Sequence, residues 1–262
     1  MQSVMDFGRS RSEQRKISMV TAYDASSARI VAASSIDAIL VGDSVAMVVH
    51  GHSTTLTATV DMLAVHTRAV ARGAGSKFLI SDLPFLSYRK GLGVAMDAVE
   101  SLMASGAHAV KLEGVDGHEN VIRHIVESGV PVMGHIGLTP QSVHQLGGFR
   151  VQGKTEAHAG HLVEQARRLE DLGCFAMVIE CVPASLGARI TQSVRIPTIG
   201  IGAGPATDGQ VLVLSDLLGI ELKAPRFVRR YMDGASLVTD ALNRFDKDVK
   251  DARFPACAES YA

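Results

Sequence analysis

Residues 109–134 read AVKLEGVDGHENVIRHIVESGVPVMG, and this stretch decides the fold. A short apolar run, 109–112, ends at the charged Glu113. A segment of helical period follows, stops at Gly129, and gives way to the next apolar run, 131–134. Short runs that are apolar on both faces suit a parallel sheet covered by helices on each side. Outward from this unit the same pattern recurs, with runs at 17–22, 37–41 and 77–81 before it and at 175–179 and 197–201 after it. The segments between them carry helical stripes. Val60, Leu63, Ala64, Thr67 and Ala71 fall at i, i+3, i+4, i+7 and i+11, and Leu162, Ala166, Leu169 and Gly173 repeat that stripe. Gly73, Gly106, Gly129 and Gly173 stand where left-handed residues would end four helices.

Seven strand-helix units are legible in this way, and an eighth strand is expected near 226–230, before a last helix at about 235–250. Strand and helix repeated about eight times over 262 residues describe an α/β fold, a (β/α)₈ TIM barrel, rather than an open doubly wound sheet. No Pro-rich linker divides the chain. The expectation is one barrel domain over 1–262, with an extension at 1–16 and a C-terminal helix at about 235–250. The longest non-helical connection, 138–155, has the length of a lid or binding loop.

Composition narrows the partners. With 26 basic residues against 27 acidic ones, the chain lacks the broad positive field that nucleic acid or an anionic membrane selects. No apolar run approaches the roughly 18–20 residues needed to span a bilayer, and residues 1–16 lack the apolar core of a secretory signal. A cytoplasmic protein is the expectation. The three cysteines, Cys174, Cys181 and Cys257, lack CxxC spacing and read as buried free thiols.

In a barrel the chemistry lies at the C-terminal ends of the strands. There the second run is followed by Gly42-Asp43-Ser44 and the third by Asp82. The fourth holds Lys111 and ends at Glu113, the fifth ends in His135, and the sixth in Glu180. Asp43 or Asp82 alone could be a helix cap. Carboxylates gathered at one mouth repel one another and raise each other's pKa, which a bound cation relieves. All the donors are oxygens, so a hard ion such as Mg²⁺ fits better than Zn²⁺. His50-x-His52 and the pair His158/His161 read as surface or loop histidines.

A metal of that kind chelates a 2-oxo acid through its keto and carboxylate oxygens and makes the neighbouring C–H acidic. Lys111 could neutralise the substrate carboxylate or an enolate oxygen, or it could pair with Glu113 two residues on along the strand. Glu180 follows the dry run 175–179 and suits a general base, although it could also cap the helix that begins near Pro183. Cys181 has no histidine placed beside it and is a poor nucleophile candidate. The glycines of 200–204 fail the dinucleotide pattern because Pro205 stands at the third glycine, and close approach to substrate is the better reading. Arg226, Arg229 and Arg230 form a solvated face or a seat for an anionic cofactor tail.

The strings TAYD (21–24), LVGDS (40–44), DLPFLSY (82–88), VKLEG (110–114), PVMGHIGLTPQSVHQLGGFRVQGK (131–154), ECVPA (180–184), IPTIGIGAGP (196–205) and DGQVLV (208–213) closely resemble the ketopantoate hydroxymethyltransferase family. The likeness runs from about Ile17 to Tyr231 and loosens after that. Ala46 and Ser53 depart from the residues common in the family. The resemblance implies a barrel of the phosphoenolpyruvate/pyruvate type. It also implies transfer of a one-carbon unit from 5,10-methylenetetrahydrofolate to 3-methyl-2-oxobutanoate, the first step of pantothenate and coenzyme A synthesis. It makes Asp43 and Asp82 the Mg²⁺-binding aspartates, which also meet the substrate, and Glu113 the third metal-associated carboxylate. Ser44 and Lys111 become 2-oxo acid contacts and Glu180 the general base. A homodecamer is implied as well. A lyase or phosphonomutase on the same barrel is disfavoured because no cysteine lies in a Lys-Lys-Cys-Gly-His-like loop. A non-catalytic binding barrel would have little use for Glu180.

Overall fold

The computed structural model of the chain describes residues 1–221 and 223–261. They fall into two compact units, Met1–Leu212 and Val213–Ala262.

In the first unit eight parallel strands close into a barrel in chain order. They are β1 (Ile17–Thr21), β2 (Ala38–Val41), β3 (Phe78–Asp82), β4 (Ala109–Lys111), β5 (Val132–Gly137), β6 (Ala176–Glu180), β7 (Thr198–Ile201) and β8 (Gly209–Leu212). The ring shuts where β8 pairs with β1, from Ile17 opposite Gly209 to Val20 opposite Leu212. The helices of this unit are α1 (Val4–Ser12), α2 (Ala25–Ala33), the short α3 (Val45–Val48), α4 (Val60–Ala71), α5 (Leu92–Ala104), α6 (Glu119–Glu127), α7 (Glu156–Asp171) and α8 (Ala184–Ser193). In the second unit α9 spans Leu214–Leu217 and α10 spans Gly234–Lys250, within one residue of the helix expected there. Leu237, Val238, Leu242, Phe245 and Val249 of α10 are exposed. Among the described residues no helix is long and apolar enough to cross a membrane.

The seven expected runs become β1–β7 with ends displaced by a residue, except that β5 continues to Gly137 and so contains His135. The eighth strand is corrected. It lies at Gly209–Leu212, and residues 226–230 form no strand. The expectation placed a helix between every pair of strands, whereas β7 and β8 are joined by seven residues, 202–208, with no helix among them. Gly106, Gly129 and Gly173 do take positive φ after α5, α6 and α7. Gly73 does not. A Cβ there would stand 2.4 Å from the carbonyl oxygen of Ala25, so α4 ends in glycine to let α2 approach.

Side chains alternate along each strand, and the inward set forms the barrel core: Ile17 and Met19, Ala38 and Leu40, Phe78 and Ile80, Ala109, Met133, Ala176 and Val178, Ile199, and Val211. Phe7 of α1 joins this cluster, edge-on to Phe78 at 5.5 Å and to Phe175 at 5.1 Å. The residues that enter from the N-terminal side of the strands are therefore a dry floor. The same period of two sets the opposite end. Two residues beyond Ile80, Ala109, Met133 and Val178 stand Asp82, Lys111, His135 and Glu180, so four neighbouring strands place ionisable groups on the inward row above the apolar layer.

Candidate active site

Parallel register brings these side chains together. Asp82 and Lys111 are partners across β3 and β4, and Lys111 Nζ lies 3.0 Å from Asp82 Oδ1. Glu113, just past β4, receives the backbone N–H of Gln141 on Oε2 at 2.9 Å. Asp43 enters from the turn after β2, where its backbone N–H donates to Asp82 Oδ2 at 2.9 Å. Its own Oδ2 accepts a hydrogen bond from Gln141 Nε2 at 2.8 Å. Asp43, Asp82, Lys111, Glu113 and His135 are all buried, none more than 4% exposed.

Burial, with Asp82 and Glu113 close by, holds the Asp43 carboxyl well above the usual aspartate range. Burial raises Asp82 too, against the opposing pull of Lys111 and the Asp43 N–H. Burial alone would lower the Lys111 ammonium, but Asp82, Glu113 and Asp43 outweigh it and raise its pKa. The alternative of a Lys111–Glu113 pair gives way to this cross-strand contact with Asp82.

His135 links the two sides of the mouth. Its Nδ1 lies 3.3 Å from Glu113 Oε1 and its Nε2 lies 3.2 Å from Glu180 Oε2. Burial and Lys111, 3.4 Å away, push its pKa down, but the two carboxylates prevail and raise it to about 9. The ring thus stands between the two acids at ion-pair distance, with no hydrogen-bond geometry at its Nε2 or at Glu113 Oε1. The side chain of Glu180 keeps 16% exposure where the other carboxylates are sealed, so it is the acid of this set that meets solvent.

Four carboxylates face two cations here, Lys111 and His135, which leaves two negative charges when all are ionised. Among the described residues Asp82 Oδ1 has no hydrogen-bond partner, and Lys111 Nζ lies 3.0 Å from it. An all-oxygen, charge-deficient donor set of this kind fits a hard dication. Among the described residues no three His, Cys, Asp or Glu side chains are grouped to hold a metal by themselves.

Every residue expected at the mouth is found there. Ser44 lies at its edge, its hydroxyl 2.7 Å from that of Tyr23. Sequence reasoning missed Tyr23, Tyr88 and Gln141, although each lies within one of the recognisable strings, and it gave His135 no role. Other expectations are corrected. A Cβ at Gly200 would stand 2.6 Å from Thr207 Oγ1 and one at Gly204 2.5 Å from Ala184 Cβ, so both glycines are needed for the chain's own packing. Of the cysteines only Cys174 is buried; Cys181 is half-buried and Cys257 exposed. Burial, with Glu180 adjacent, pushes the Cys181 thiol up to about 12, which removes it as a nucleophile.

Residues 2–257 match the family model described as ketopantoate hydroxymethyltransferase. A 3-methyl-2-oxobutanoate hydroxymethyltransferase of Bdellovibrio bacteriovorus is 56% identical over 263 residues, covering 100% of each chain. Among solved structures, a phosphonopyruvate hydrolase in complex with oxalate and Mg²⁺ superposes with a TM-score of 0.65 at 12% identity, covering 99% of this chain and 93% of the other. A 2,3-dimethylmalate lyase, described as a PEP mutase/isocitrate lyase superfamily member, gives 0.63 at 15% identity, with 100% and 92% covered. These two likenesses are of fold, and the fold shared is the closed barrel of eight parallel strands.

Proposed function

The chain belongs to the ketopantoate hydroxymethyltransferase family and is a transferase of that class, and from this premise we propose how its barrel mouth works. The reaction moves a one-carbon unit from 5,10-methylenetetrahydrofolate to 3-methyl-2-oxobutanoate, giving 2-dehydropantoate and tetrahydrofolate. It is the first step of pantothenate and coenzyme A synthesis.

Asp43 and Asp82 would hold Mg²⁺ and border the 2-oxo acid. Glu113, whose Oε2 accepts the Gln141 N–H and whose Oε1 lies 3.3 Å from His135 Nδ1, balances charge beside them. When bound, the ion supplies Lewis acidity that draws charge from the keto oxygen and acidifies the C3 proton. Lys111 stabilises negative charge on the substrate oxygens, and Ser44 contacts the oxo acid. Glu180 removes the C3 proton. His135 occupies Oε2 of that acid and leaves Oε1 to receive it. A bond then forms between C3 and the methylene carbon, the bonds from that carbon to folate nitrogen break, and water supplies the hydroxyl oxygen.

The observation that carries this reading is the arrangement of Glu180, accessible and held by His135, next to a sealed, cation-deficient group of Asp43, Asp82 and Glu113. It is tested by incubating the protein with Mg²⁺ and 3-methyl-2-oxobutanoate in D₂O without folate. Loss of the C3 proton signal is expected, and its persistence would overturn the assignment. The same reading takes the protein as a cytoplasmic homodecamer without nucleic-acid or membrane partners. Sedimentation should then give about ten times the chain mass of 27.7 kDa.

A further inference from the structure

Gln141 sits in the 3₁₀ turn Pro140–Ser142, inside the long connection after β5, and is 6% exposed. Its backbone N–H and both polar atoms of its side chain are engaged. The backbone N–H donates to Glu113 Oε2 at 2.9 Å. Nε2 donates to Asp43 Oδ2 at 2.8 Å and to the Leu83 carbonyl oxygen at 2.9 Å. Oε1 accepts from the Tyr88 hydroxyl at 2.9 Å.

This pattern admits only one orientation of the carboxamide. Turned over, its oxygen would face a carboxylate oxygen and a carbonyl oxygen, two acceptors with no proton to share. Asp43 Oδ2 and the Leu83 carbonyl oxygen enforce the choice. The Tyr88 hydroxyl accepts from the Glu113 N–H at 3.2 Å and shares its one proton between Gln141 Oε1 at 2.9 Å and the Glu113 carbonyl oxygen at 3.1 Å. Gln141 therefore donates to Asp43 and accepts from Tyr88.

The outcome at Asp43 is asymmetric. Oδ2 is tied by Gln141, and among the described residues no donor is hydrogen-bonded to Oδ1. We propose that Gln141 is a positioning residue that presents Asp43 Oδ1 to the divalent cation and fixes the loop after β5 to the same site. This rests on the reading that Asp43 holds that cation. Gln141 acts through Asp43 and Glu113 and needs no contact with the reacting atoms.

The test uses Mn²⁺ as the probe, with free ion counted from its electron paramagnetic resonance signal in the full-length protein. Gln141→Leu keeps the volume and loses the donors, and should weaken Mn²⁺ binding by about tenfold, the scale of one charge-assisted hydrogen bond. Tyr88→Phe removes the hydrogen bond that Oε1 accepts, loosening the carboxamide without turning it, and should weaken binding by about threefold, in the same direction. In turnover the Mg²⁺ activation constant should rise more than kcat falls, a split that general loss of structure would not produce. Wild-type affinity for Mn²⁺ in both variants overturns the proposal, whatever their activity. If Gln141→Leu fails to fold, Gln141→Met, which also lacks the donors, takes its place, and unchanged Mn²⁺ binding in that variant overturns the proposal. A wild-type protein that binds no Mn²⁺ overturns the cation site and Gln141's role together. One that binds Mn²⁺ yet leaves the oxo acid untouched overturns the transfer reading only, and the variants' Mn²⁺ affinities still decide for or against Gln141.

Discussion

The Lys111 ammonium lies 3.0 Å from Asp82 Oδ1, with 5% and 3% of the two side chains exposed. Removing one member of a buried ion pair costs about 3–5 kcal/mol, because the other charge is left without a partner. Lys111→Met should therefore lower the unfolding free energy by that amount in urea titrations. The double variant Lys111→Met/Asp82→Asn should recover at least half of the loss. A double variant no more stable than the single one would mean that the two residues do not act as a pair. Both should lack activity.

Glu180 separates binding from proton transfer. Glu180→Gln retains size and a hydrogen-bonding head, so calorimetry should find 3-methyl-2-oxobutanoate and Mg²⁺ still bound. The rate of C3 proton exchange into D₂O should fall by about 10²–10⁴-fold, the usual contribution of a positioned base. Exchange at the wild-type rate would assign the base elsewhere.

The cation should be removable. Dialysis against EDTA is expected to abolish turnover and Mg²⁺ to restore it, while the circular dichroism spectrum stays as before. Asp43→Asn and Asp82→Asn should each raise the Mg²⁺ concentration needed for half-maximal rate by at least about tenfold, one carboxylate of an oxygen-donor site being lost. An unchanged Mg²⁺ dependence in both variants would sink the assignment.

His118 makes stability depend on acid. Burial, with Arg89 nearby, lowers its pKa to about 4. An unfolded histidine titrates near about 6.5, so between these values the unfolded chain binds the extra proton and is favoured as pH falls. Above about pH 6.5 both states are neutral there and the penalty is absent. Urea unfolding at pH 7.5 and 5.0 should show a smaller loss for His118→Asn than for the wild type, by about 1–2 kcal/mol. Equal losses would show that another group governs the acid limb.

Periodicity exposed most of the barrel because its strands are short, doubly covered and separated by amphipathic helices. It failed at β8, where Gly209 and Gln210 dilute the apolar run and no helix announces the strand. The acidic mouth was legible for a related reason: Asp82, Lys111 and Glu180 follow apolar residues on the inward row. The partner of Lys111 was not, since Glu113 is nearest in sequence while strand register selects Asp82. Gln141 was hidden because a neutral amide in a loop has no periodicity, and its importance lies in the direction of its hydrogen bonds. His135 could be placed near the strand end, but its charge depends on Glu113 and Glu180 approaching from two other elements.

Phe7 of α1 touches Phe78 at the entrance to β3 and Phe175 just ahead of β6, on walls some hundred residues apart in sequence. Neither wall alone offers the ring a complete seat. The helix closest to the start of the chain thus acquires its lodging from segments synthesised much later, and its docking signals that distant staves have met. α1 is the stopper of a cask that must be assembled before it can be corked.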